Sequence, residues 1–235
     1  MKKLMITVIF ISLAFGGYYC FAKSYLLQNN NHELDLRVYF PADLQIKTKR
    51  QYNDYDNGNI ISSKIINVDY RKCNRINKND VVEFYCVDWE KYYITKDKIY
   101  LEQLLGTKEG IAGKFIAILL QKPIKVGNIW NTRTYIIDKN ATQKMKNEYR
   151  DEIKSEYVSK IIKIDDKLKI NETIYNNCIV VEESYRPFDR YYMKLDEPGY
   201  FIKIYYCKDF GRMKYEMYNN NHKLDYEWYV IEIQK

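Results

Sequence analysis

The chain has 235 residues, with 38 Lys and Arg against 31 Asp and Glu, for a formal net charge of +7. That length admits one large domain or two small ones with a real buried core. The basic residues are scattered among acids without a basic-aromatic cluster, which argues against a nucleic-acid partner.

The first element is a targeting segment. Lys2 and Lys3 precede an unbroken apolar run from Leu4 to Phe15, and Gly16 and Gly17 lead to Cys20-Phe21-Ala22, with small residues placed for cleavage after Ala22. Residues 1–22 read as a signal peptide and residues 23–235 as a single secreted β-rich domain of charge about +5. The uncharged stretch Leu4–Ala22 is 19 residues long, close to the ~20 that span a bilayer, so a retained N-terminal anchor is the rival reading. Lipidation of Cys20 fits less well, because Gly17-Tyr18-Tyr19 puts a bulky residue directly before it. No later apolar run is long enough to span, so the mature chain is not expected to be an integral membrane protein.

Next come strands. Ile46–Tyr52 and Ile60–Tyr70 flank Asp56-Asn57-Gly58-Asn59, a hairpin signal because Asn-Gly tolerates the positive φ angles of a tight turn. Val81–Trp89 returns from the Asn77–Asp80 turn, and Tyr92–Ile94 with Lys98–Leu101 forms a further hairpin. Phe115–Leu120 is a short apolar segment, and Trp130–Ile137 reads as one strand. Ala141–Ser155 changes texture: it lacks Gly and Pro and spaces Met145, Tyr149 and Ile153 by four, which predicts one amphipathic helix. Tyr157–Ile164, a turn at Asp165-Asp166-Lys167, Cys178–Val181, Tyr191–Leu195, Tyr200–Cys207, Met213–Tyr218 and Tyr226–Ile233 complete the series. The expected fold is mainly β (α+β): a curved antiparallel sheet or half-barrel meander with one or two packing helices. A faint echo between Phe40–Lys47 and Lys122–Gly127 suggests two similar halves, about 36–121 and 122–235.

Four cysteines remain after the signal, and an oxidising destination makes them disulfide candidates with three connectivities. A hairpin turning at Asn79-Asp80 pairs residues whose numbers sum to 159, which sets Cys73 opposite Cys86. Cys178 and Cys207 have no such simple relation, since Pro187 and Pro198-Gly199 punctuate the segment between them.

Three segments carry a resemblance: Pro123-Ile124-Lys125-Val126-Gly127-Asn128-Ile129-Trp130, Asn177-Cys178-Ile179-Val180-Val181-Glu182, and Tyr205-Tyr206-Cys207 through Gly211-Arg212-Met213-Lys214-Tyr215. Together they resemble a loose group of exported bacterial envelope proteins and lipoproteins of uncharacterised function, over roughly residues 122–216. The resemblance implies a curved sheet similar in outline to lipid-carrier folds, with Gly127 and Gly211 giving backbone freedom at turns and Trp130 capping a core. Two departures stand out: Cys207-Lys208-Asp209-Phe210 replaces the usual Ala-x-Gly, and the lipobox is missing.

Chemistry is sparse. His32 and His222 lie in Asn-rich turns without metal-ligand spacing, and there is no G-x-S-x-G or P-loop. Glu182 and Glu183 point to opposite faces of a strand and cannot act as one pair. No cofactor is expected, and the chain reads as a non-enzymatic exported protein, periplasmic or secreted, that binds an apolar ligand such as a lipid or another envelope component. The alternative is a secreted interaction protein using a Tyr-rich face, since tyrosine numbers 25; AT-rich coding accounts for that count as well. A hydrolase is the third reading.

Overall fold

The computed structural model describes residues 34–40, 47–69, 73–87, 90–186 and 200–234; the signal segment, His32 and the expected Tyr191–Leu195 strand lie outside them. Among the described residues, fourteen strands form two antiparallel sheets. The smaller holds β3 (Asn74–Lys78), β4 (Val81–Val87), β5 (Glu90–Ile94), β6 (Lys98–Thr107), β7 (Gly110–Gln121) and β9 (Arg133–Ile137), in that order. The larger runs β2 (Asn59–Asp69), β1 (Lys47–Asp56), β14 (Leu224–Gln234), β13 (Gly211–Asn219), β12 (Tyr200–Cys207), β11 (Thr173–Arg186), β10 (Glu156–Ile170) and β8 (Ile129–Asn131). In the smaller sheet β3 to β7 follow one another as a meander, and the larger sheet is closed in sequence terms by the pairing of the C-terminal β14 with the N-terminal β1. The mainly-β antiparallel architecture expected from the alternating runs is therefore what forms, as an open structure rather than a closed barrel.

The expected single strand Trp130–Ile137 is divided between the sheets, and Thr132 is the reason. Its N–H donates to Tyr157 O of β10 (2.7 Å), while its carbonyl accepts from Ile118 N–H of β7 (2.7 Å). The Trp130 indole N–H adds a bond to Ile118 O (2.9 Å). β1 and β2 join the C-terminal strands, so sheet membership does not follow the 36–121 and 122–235 division.

Turn chemistry sets the registers. Asn57 (φ 49°) and Gly58 (φ 83°) both take positive φ, which matches the twist of a two-residue hairpin between β1 and β2. Asn79 (φ 53°) begins the β3–β4 turn, and the pairs from Asn74↔Tyr85 to Lys78↔Val81 follow the expected 159 rule. At Asp165 the expected turn is absent. The residue takes φ 53° among three register shifts, so β10 bends and continues to Ile170, and the chain reverses at Asn171.

The predicted helix is broken in two, α1 (Gln143–Glu148) and α2 (Arg150–Lys154). Thr142 caps α1 by accepting from Met145 N–H. Met145 packs with Leu105, Ala112 and Ala141, but the Tyr149 hydroxyl reaches across to Gly106 O of β6 (2.5 Å) and that residue leaves helical geometry. A 3-10 segment, Leu36–Tyr39, ties the two sheets together: Leu36 N–H donates to Lys96 O after β5, and Asp209 N–H after β12 donates to Val38 O. Leu36 is fully buried, worth about 2 kcal/mol in apolar transfer.

Candidate functional site

Arg133 of β9 reaches Glu183 Oε1 of β11 at 3.1 Å, with its guanidinium 4.0 Å above the Tyr157 ring of β10. The face of the larger sheet that carries Tyr157, Ser159 and Glu183 is thus the one turned toward the smaller sheet. Burial pushes the Glu183 carboxyl upward, against the pull of Arg133.

Strand pairing carries that inner face outward. Val181 opposes Ile204, Ile204 opposes Tyr215, Tyr215 opposes Trp228, Trp228 opposes Tyr52, and Tyr52 opposes Lys64. One row therefore crosses six strands from an aliphatic centre, through three aromatic rings, to a cation on the edge strand. Each strand contributes because side chains alternate with period two, so inward tyrosines recur on one face.

The rings touch along the row. Tyr215 and Trp228 lie 5° from parallel with centroids 6.1 Å apart, and Tyr52 is 6.2 Å from Trp228 on its other side. Tyr226 completes the cluster at 6.0 Å from Tyr215 and 6.3 Å from Tyr52. Two guanidiniums flank the indole, Arg50 Cζ at 4.5 Å and Arg212 Cζ at 5.2 Å, and Lys64 Nζ lies 5.7 Å from the Tyr52 ring. Trp228 and Arg50 are buried, while Tyr52, Tyr215 and Tyr226 are half-buried. Burial first, then the neighbouring Tyr52 and Asp54, push the Tyr226 phenol up to about 12, so it stays neutral at physiological pH. The arrangement can hold a flat or apolar body against aromatic faces and a negative group beside guanidinium planes.

The opposite face is a polar network. Glu227 accepts from Tyr55 (2.6 Å) and Asn53 (3.1 Å), and Lys214 bridges Glu227 (3.3 Å) to Glu216 (2.7 Å). Glu216 also accepts the hydroxyls of Tyr205 and Tyr218, each at 3.0 Å. These tyrosines serve structure through their hydroxyls, although Phe201 and Tyr218 stack at 4.7 Å on that side.

The residues singled out from sequence occupy separate places. Cys178 and Cys207 are directly opposite on β11 and β12 and form a buried disulfide; Pro187 and Pro198, which punctuate the sequence between them, lie outside the described residues. Cys73 is disulfide-bonded, and the β3–β4 register runs as far as Asn74↔Tyr85; the side chain of Cys86 lies outside the described residues. Gly127 (φ 88°) and Gly211 (φ 78°) take the left-handed backbone that favours glycine. Trp130 is buried at the crossing between sheets, away from the aromatic row. His222 sits in a turn against Phe201, and Glu182 and Glu183 do face opposite ways. Among the described residues no three or more His, Cys, Asp or Glu gather as metal ligands, and no helix is long and apolar enough to cross a membrane. Val181 and Tyr215 lie in the segments that carry the resemblance, but none of the row residues was given a ligand-facing role from sequence; the inward alternation of Arg50-Tyr52 and Tyr226-Trp228-Val230 was the available signal.

No protein-family model and no curated protein matches the sequence. Three solved structures are similar in outline. One is a chain designated an exported protein with a YmcC-like fold from Bacteroides fragilis, at TM-score 0.37 and 9% identity over 81% of this chain and 96% of that one. A chain designated a lipoprotein from Parabacteroides distasonis gives 0.42 and 14% over 83% and 98%. A chain designated an outer membrane lipoprotein-sorting protein domain from Vibrio parahaemolyticus gives 0.20 and 10% over 85% and 91%. At these values the likenesses carry no functional argument.

Proposed function

We propose that this chain is a non-enzymatic, exported bacterial envelope protein that holds an anionic amphiphile of lipid class along the inner aromatic row. The observation that carries the reading is the gradient within that row. Val181 and Ile204 form its buried aliphatic end, the half-buried Tyr215 and Tyr52 present ring surface on either side of the buried Trp228, and Arg50, Arg212 and Lys64 add positive charge toward the edge. Export rests on the segment Met1–Ala22, whose charged start, apolar run and small residues fit a cleaved signal.

The test is binding of a dansyl-labelled long-chain fatty acid to protein recovered from the periplasm, with competition by an unlabelled lysophospholipid. Saturable, competed binding that weakens about tenfold in Tyr215→Ala, as loss of one stacking face and its buried area should give, supports the reading. Absence of binding by the folded wild-type protein, or identical binding by Tyr215→Ala, contradicts it.

A further inference from the structure

The β2 strand ends the larger sheet, and among the described residues it pairs with β1 alone. Every residue from Asn59 to Asn67 is exposed, including Ile61 (67%) and Ile65 (59%). An open, exposed edge of this length with isoleucines on it is a template for strand addition. Its sequence says which strand fits. Asn59-Ile60-Ile61-Ser62-Ser63-Lys64-Ile65-Ile66-Asn67 reads nearly the same in both directions about Ser63.

We infer that β2 is a self-association edge, on which a second copy of this chain adds its own β2 antiparallel across a two-fold axis through Ser63. A two-fold interface sets residue i against j and j against i, so a palindromic strand meets like with like. Ile60 faces the partner's Ile66, Ile61 faces the partner's Ile65, and Asn59 faces the partner's Asn67. Lys64 faces the partner's Ser62 rather than a like charge, and its ammonium is already drawn toward the Tyr52 ring of its own sheet. Sliding the strands by two residues either way sets isoleucine against Ser63, Lys64 or Asn67, so one register is favoured. The register shift between Asp54, paired with Ser62, and Tyr55, paired with Ile60, makes Ile61 the bulged residue; the ladder from Ser62 to Asp69 is regular, so Ile65, Ile66 and Asn67 are the undistorted half of the edge. The other candidate occupant of this edge is the chain's own β3, which ends the smaller sheet and follows β2 in sequence.

The experiment is sedimentation velocity of protein recovered from the periplasm, together with oxidative cross-linking of variants that each add one cysteine at the axis and keep the native disulfides. Self-association that grows with concentration and is lost in Ile65→Lys, whose side chain is exposed and outside the core, is the expected result. Ser63→Cys should form an intermolecular disulfide, because the axis sets the two thiols directly opposite each other. Ser62→Cys should not, since its nearest copy is diagonal. A monomer at all concentrations, an Ile65→Lys variant that still dimerises, or equal cross-linking at positions 62 and 63 would each overturn the inference.

Discussion

Arg133 and Glu183 meet at 3.1 Å although they belong to different sheets, and both side chains are largely withdrawn from water. The pair fixes the point where the chain passes from β8 to β9 and so sets the inner face on which the aromatic row lies. Removing one partner strands the other charge in a buried site. Arg133→Met should therefore cost about 3–5 kcal/mol in denaturant unfolding, and the double variant Arg133→Met with Glu183→Gln should regain much of it. Equal losses in the single and double variants would show that the guanidinium acts through its contact with Tyr157 instead.

On the opposite face the carboxylates of Glu216 and Glu227 sit directly across from each other, held by Lys214 between them. Burial alone would raise the Glu227 pKa, but the donors Tyr55, Asn53 and Lys214 outweigh it and leave it below the ordinary 4.5. The unfolded chain then binds the proton more readily than the folded one. Stability from this group is present above pH 4.5 and is lost as pH falls through the lower folded value. Glu227→Gln should flatten the acid limb of a Tm-against-pH profile; an unchanged limb would place the acid sensitivity elsewhere.

Cys178–Cys207 links neighbouring strands across a sequence separation of 29 residues. Replacing both by Ser should lower stability by about 2–4 kcal/mol under non-reducing conditions. Peptide mapping of the intact protein should give a Cys178–Cys207 link and a second link between Cys73 and Cys86. A Cys73–Cys178 peptide would contradict the β11–β12 register.

Gly113 tests the packing beside α1. A Cβ there would stand 2.3 Å from Ile136 O and 2.9 Å from Ile137 Cα, so no side chain fits without separating β7 from β9. Gly113→Ala should destabilise by about 2–3 kcal/mol, whereas the same change at Gly106, where nothing lies within 4 Å, should be mild.

Local signals were legible where one short segment held the whole device. Asn57-Gly58 specified its hairpin, and the turn at Asn79 fixed a register that runs out to Asn74↔Tyr85. What escaped depended on distant segments. Nothing around Thr132 marks it as the residue that bonds to both sheets, because its partners Ile118 and Tyr157 are known only once the strands are placed. The β11–β12 pairing was hidden because Pro187 and Pro198 read as breaks in the sequence, and only the register of Cys178 with Cys207 reveals it. The aromatic row is the extreme case: Tyr52, Tyr215 and Trp228 come from three strands, and only the β14–β1 closure brings the ends of the chain together.

Whether the inner row holds an amphiphile is read from the native mass spectrum of the protein recovered from the periplasm. A bound amphiphile gives a lipid-sized adduct that solvent extraction releases and that is depleted in Tyr215→Ala. A clean apo mass from folded wild-type protein, or an adduct indifferent to Tyr215→Ala, would contradict it.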